Sequence, residues 1–291
     1  MSQKQIILFL LKLCAFLVFI GRAYQFYFFG APFRSVFWDE ALLTPIVEGL
    51  SNYSWYDYAT NLNVSTWITN FTNLCSFLLV TSAFTCLFWN RISSNTFKKS
   101  VASVSLFILI FLGICMVKDF SYGVIQFLEL SIQIAICLIF FLNNDISKIN
   151  EKQLTFWLKI AVAFTFIAHG IFAMGIFYLP GHFIDMTIKI LGVSETQAKL
   201  FLHIAGILDV LFSILLFVPK LAKYVLIYFI TWGILTALAR LVSGFNPDFI
   251  LKSFHNYTYL VIYRLPHGLI PLTIFYLISN TKTIKTLKNE N

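Results

Sequence analysis

Phe19-Ile20-Gly21-Arg22-Ala23-Tyr24-Gln25-Phe26-Tyr27-Phe28-Phe29-Gly30-Ala31-Pro32-Phe33-Arg34 decides how this chain is read. A degenerate copy returns about half a chain later, from Phe166-Ile167-Ala168-His169-Gly170 to Leu179-Pro180-Gly181-His182. In both copies a cationic or ionisable side chain, Arg22 or His169, sits inside an apolar run. Further on, a proline is followed two places later by another such side chain: Pro32 then Arg34, Pro180 then His182. Self-similarity on this scale marks an internal duplication, so two halves with one plan are expected, residues 1–146 and 147–291.

Of the 291 residues, 59% are hydrophobic and 12% charged, and the mean hydropathy is +0.81. Soluble domains carry about 25% charged residues; this composition is that of an all-α polytopic membrane protein. The net charge of +8 does not point to nucleic acid, because the positive residues sit in short segments between apolar runs, where the positive-inside rule puts them. The five cysteines all fall within apolar runs. They show neither disulfide nor zinc spacing, so they read as small hydrophobes, and no metal site is expected. The first run, Gln5 to Phe29, contains Lys12 and Arg22 and is closed by no cleavage signal, which makes it an uncleaved span.

Runs of about 17 to 25 apolar residues can cross roughly 30 Å of hydrocarbon, and about eight are expected here: 5–28, 68–89, 101–117, 122–142, 154–178, 198–218, 222–242 and 258–279. The basic residues Lys4, Arg91, Lys98, Lys99, Lys148, Lys152, Lys159, Lys220, Lys223, Lys282, Lys285 and Lys288 then fall on one side. Both termini are therefore expected in the cytoplasm of a bacterial cell, with the chain in its inner membrane. Both halves would share this orientation, as two parallel four-helix repeats.

Two outer loops, 30–67 and 179–197, carry further signals. Phe37, Leu42, Leu43, Ile46 and Val47 recur on one face of an expected interfacial helix anchored by Trp38, and Pro45 should kink or split it. Phe183, Ile184, Met186, Ile188, Ile190 and Leu191 repeat the theme. Ser54 to Asp57 and Ser194 to Gln197 are helix-start signals of the capping-box type.

The turn Leu191-Gly192-Val193-Ser194 and the span His203-Ile204-Ala205-Gly206-Ile207-Leu208-Asp209, with the polar first span and its proline-containing outer segment, resemble the DoxX-like four-helix membrane proteins. A fused pair of such bundles is similar to the HTTM and vitamin K-dependent carboxylase-like superfamily. The resemblance is strongest over residues 160–245, and Asp209 stands where DoxX-like proteins often have Glu. It implies a four-helix bundle in each half and, for some members, quinone chemistry.

Ionisable residues inside spans are costly and mark functional sites. In the expected topology Arg22, Glu129, His169, His203, Arg240, Arg264 and His267 lie in the outer half and Asp209 near the midplane, while the inner half is almost purely apolar. An outward-facing polar pocket follows, binding a small amphipathic or anionic ligand, quinone- or lipid-like. Arg22, Glu129, Arg240, Arg264 and His267 would hold it; His169, His203 and Asp209 would move protons if envelope redox or lipid chemistry occurs there. The bland alternative pairs Arg22 and Arg240 with Glu129 and Asp209 as helix-helix glue. Arg34, Asp39, Glu40, His182 and His255 read as solvated loop residues. Haem on His169 and His203 would lack the repeated four-helix haem set. An accessory subunit that docks an envelope protein through Trp38 and Trp55 to Tyr58 is the second function class. A transporter is disfavoured because no helix break other than Pro271 is expected near mid-membrane.

Overall fold

The computed structural model describes residues 2–51, 53–121 and 123–289, with side chains described as far as Ser279. Tyr122, the first residue of the fourth expected span, lies outside the described residues, as do the side chains of Lys282, Lys285 and Lys288. The helices are α1 (Gln3–Phe29), α2 (Arg34–Phe37), α3 (Glu40–Leu50), α4 (Trp55–Thr60), α5 (Leu62–Leu87), α6 (Asn95–Asp119) and α7 (Ile125–Glu129). They continue with α8 (Ser131–Leu142), α9 (Glu151–Met174), α10 (Gly181–Leu191), α11 (Glu195–Leu215), α12 (Ala222–Gly244), α13 (Ile250–Ile262) and α14 (Pro266–Asn289). Among the described residues there is no strand.

Among the described residues seven helical segments are long and apolar enough to cross a membrane, one of them the composite Pro247–Ser279, and the chain is a multi-pass membrane protein. The short apolar α8, at about 1.5 Å per residue, falls short of a full crossing and is extended by α7.

Helix starts are fixed locally. Ser194 Oγ accepts from the Gln197 N–H while the Gln197 side chain accepts from the Ser194 N–H, and Ser54 and Asp57 do the same. The expected outer interfacial helix is divided, but not at Pro45. The division falls at Trp38 and Asp39, where the Asp39 carboxylate accepts from the Leu42 N–H and starts α3. Pro45 sits inside α3. Trp38 is not a free headgroup anchor: its indole N–H is buried with no partner among the described residues, and Arg34 lies 4.2 Å over its ring.

α1 packs along α5 and α9 along α11; α6 packs on α8 and α12 on α14. The middle of the bundle is made by α1, α8, α9 and α14. The short helices follow the same pattern, α2 on α6 and α10 on α12, α13 on α1 and α7 on α9. Small residues permit the close crossings. A Cβ on Gly206 would meet the Gly170 carbonyl oxygen at 2.6 Å, and one on Gly233 would meet the backbone of His267 at 2.6 Å.

Two of the expected spans are broken. The fourth is interrupted at Leu130, between α7 and α8, and the eighth at Tyr263 to Leu265, between α13 and α14. Pro271, the expected break, lies within the continuous α14. Glu129 and Arg264, the charged residues of these two spans, sit at the two interruptions.

Candidate functional site

Three helices bring residues to one face at helical spacing: Phe166, His169 and Ala173 on α9, Leu202, Ala205 and Asp209 on α11, Trp232, Gly233, Thr236 and Arg240 on α12. Together with Arg264, His267 and the underside of α10, they enclose a cavity of about 420 Å³. Its roof is Phe183, Met186, Thr187 and Ile190. The residues that line the cavity all fall within 147–291, and none comes from the outer loop 30–67. On its lining, Phe201, Leu235, Leu238 and Val242 are also exposed on the outer surfaces of α11 and α12. In a membrane-spanning segment those surfaces face lipid, so the apolar rim opens sideways.

At the floor, the buried Asp209 carboxylate accepts from Tyr228 Oη at 2.8 Å and from Trp232 Nε1 at 3.4 Å. Tyr228 and Trp232 are four residues apart on α12. That spacing puts both donors on one helix face and was the signal by which they could have been found.

At the other end lies a cluster of guanidinium groups. Arg264 pairs with Glu129 at 3.3 Å across the two helix breaks and donates to Tyr263 Oη. Arg22 lies 4.0 Å over the Tyr263 ring, donates from Nε to Gln133 at 2.9 Å and from Nη1 to Gln25 at 2.7 Å. Tyr263, between two cations, escaped the sequence reading, although its place next to Arg264 in a span was visible. Arg240 is only 9% exposed and lines the cavity, and its one hydrogen-bond contact among the described residues is the weak acceptor Met186 Sδ at 4.0 Å.

The expected pairing of Arg22 and Arg240 with Glu129 and Asp209 is thus replaced. Glu129 is held by Arg264, Asp209 by two neutral donors, and Arg22 by amides and a ring. Geometry explains this: Asp209 lies against Tyr228 and Trp232, about two turns or more before Arg240 on α12, and Glu129 ends α7 at the break, where Arg264 meets it.

His267 is buried, and its Nδ1 is 2.7 Å from the Arg264 carbonyl oxygen, to which it donates. Its Nε2 is buried with no partner among the described residues, as is Arg264 Nε. The His169 ring is 5.5 Å from that of His267, and both line the cavity. His203 does not: it is exposed, with Nδ1 3.4 Å from the Met174 carbonyl oxygen. Of these two histidines, His169 alone lines this cavity. On α10, outside the spans, His182 has its pKa pushed down to about 4 by desolvation and by the nearby Arg240 and Arg264 charges.

Of the sequence-derived site residues, His169, Asp209, Arg240, Arg264 and His267 line the cavity, Glu129 and Arg22 stand behind Arg264 and Tyr263, and His203 lies apart. Neither a family model, a curated protein nor a solved structure matches this chain.

Proposed function

We propose that this chain binds an amphipathic anion in the cavity of its second half, taking it from the surrounding leaflet. The head is held by Arg240 and Arg264, and the tail lies along Phe201, Leu202, Ala205 and Leu235 towards the gap between α11 and α12. The carrying observation is Arg240, a buried guanidinium on the wall of an open cavity with only a thioether against it. A buried charge without a counterion is strongly unfavourable, and guanidinium matches carboxylate and phosphate oxygens with paired donors. A neutral quinone head would accept those hydrogen bonds but leave the charge uncompensated, so the lipid-like anion is the better supported ligand.

The wider reading is part of the same proposal. The chain is two parallel four-helix repeats, 1–146 and 147–291, with α7–α8 and α13–α14 as the fourth and eighth crossings. The pairings of α1 with α5, α6 with α8 and α2 with α6, each matched by its counterpart in the second half, support this arrangement. So does the resemblance to DoxX-like and HTTM proteins. The placement of Lys and Arg supports cytoplasmic termini in an inner membrane, which puts the cavity in the outer leaflet.

The test is ligand retention and titration in nanodiscs of zwitterionic lipid. Wild type should bind a dodecyl-chain anion, and Arg240→Gln should weaken it roughly 10- to 100-fold, as expected when a charge-assisted hydrogen bond of about 1.5–3 kcal/mol is lost. Unchanged binding by the Arg240→Gln protein would refute the proposal.

A further inference from the structure

Residues that line the cavity carry unmet groups of opposite hydrogen-bonding kind. Arg240 and Arg264 Nε are donors. His267 Nε2 is an acceptor in the neutral ring, because the Nδ1 proton is committed to the Arg264 carbonyl oxygen. A buried polar atom left unpaired costs about 1–3 kcal/mol, so the occupant that suits this site brings acceptors and a donor within one small head. A carboxylate or a sulfate ester brings acceptors alone. A phosphomonoester carrying one proton brings both: P–O⁻ for the guanidinium groups and P–OH for the imidazole.

Size narrows the tail. A volume of about 420 Å³ holds roughly fourteen water-sized units at about 30 Å³ each. That is enough for a phosphate and the first part of one chain. The exposed apolar rim of Phe201, Leu235 and Val242 lets the remainder of a longer chain lie in the bilayer.

We infer that the occupant is a single-chain phosphomonoester lipid, its P–OH donating to His267 Nε2 and its other oxygens accepting from Arg240 and Arg264. This rests on the anion-binding reading above and specifies its ligand. The other ionisable groups facing His267 are His169 from α9 and Glu129 from α7, the latter already engaged by Arg264.

The experiment compares four probes on the full chain in zwitterionic nanodiscs at pH 5.5: dodecyl phosphate, dodecyl methyl phosphate, dodecyl sulfate and inorganic phosphate. The first three share a chain and a single dominant negative charge, but only dodecyl phosphate has a P–OH. It should bind at least tenfold more tightly than the methyl diester and the sulfate, and His267→Phe should erase that preference. Inorganic phosphate should not compete. Equal affinity for the three dodecyl probes in wild type would overturn the phosphomonoester assignment while leaving anion binding intact, a result that needs no variant to fold. Effective competition by inorganic phosphate would overturn the lipid assignment. Failure of every dodecyl probe to bind would instead remove the anion-binding reading itself.

Discussion

Beneath the short helix that follows Pro32 the space is full, and beneath the helix that follows Pro180 it is open. In the first half Phe33 is wholly buried, with Phe111 at 5.0 Å, Phe26 at 5.3 Å and Phe71 at 5.5 Å between ring centres. Phe37 adds contacts to Trp67, Phe71 and Phe111. Polar groups there end on partners within the chain: Arg34 donates to Ser65 and Thr69, and Ser35 Oγ to the carbonyl oxygens of Pro32 and Cys115. The buried indole N–H of Trp38 is the exception. In the second half a guanidinium and an imidazole nitrogen remain unmet on a cavity wall. The two outer segments thus differ in packing, an aromatic plug after Pro32 and an open cavity after Pro180.

The largest expected effect breaks the plug. Phe33→Ala should lower stability by about 3–5 kcal/mol, the usual loss for a fully buried aromatic ring. Phe183→Ala, which removes a ring already bordering open space, should lower it by only about 1 kcal/mol. Thermal unfolding of both proteins in the same nanodiscs compares them directly. Similar losses would mean that the second-half roof is as tightly packed as the first.

A second contrast lies where the paired spans cross. Gly206 meets Gly170 so closely that a methyl group would touch the Gly170 carbonyl oxygen at 2.6 Å and the Met174 backbone nitrogen at 2.9 Å. At the crossing of α1 and α5, Ser76 Oγ donates to the Ala23 carbonyl oxygen at 2.7 Å, so a side chain is accommodated. Gly206→Ala should therefore destabilise by about 1–3 kcal/mol through overpacking. Ser76→Ala should lose only about 0.6 kcal/mol, the mean for a hydrogen bond between membrane helices. If Gly206→Ala unfolds at the wild-type temperature, the tight crossing at Gly170 is disproved.

These contrasts also show how far the sequence could be read. Hydropathy was enough to foresee a helical membrane protein, and Arg22, Arg240 and His267, which the structure buries, were visible within its apolar runs. Lone residues inside apolar runs stand out against their neighbours. The capping boxes at Ser54 and Ser194 were equally legible, since a cap depends on four consecutive residues. What could not be read was which charge meets which. Whether Glu129 faces Arg22 or Arg264 depends on the breaks at Leu130 and at Tyr263 to Leu265; Pro266 announces a helix entry after the second, but no proline or glycine stands at the first. Nor could periodicity reveal that one loop closes on phenylalanine rings and the other on empty space, because both loops have the same apolar pattern and differ in what the facing helices supply.

The smallest expected effect concerns the residues two places after the prolines, Arg34 and His182. His182 has its pKa held at about 4 by desolvation and by Arg240 and Arg264. The unfolded chain takes up this proton near pH 6.5, so between about 6.5 and 4 the unfolded state binds more protons than the folded state. The contribution of His182 to stability is then full above pH 6.5 and declines as the pH falls towards 4. His182→Asn should flatten that part of the stability profile, while Arg34→Gln should shift the profile without changing its slope. Arg240→Gln should move the His182 pKa back up towards its ordinary value, as read from its imidazole resonance. A wild-type profile indistinguishable from that of His182→Asn would mean that the arginine charges do not reach the roof, and the second-half site would then lack the field that separates it from the plugged first half.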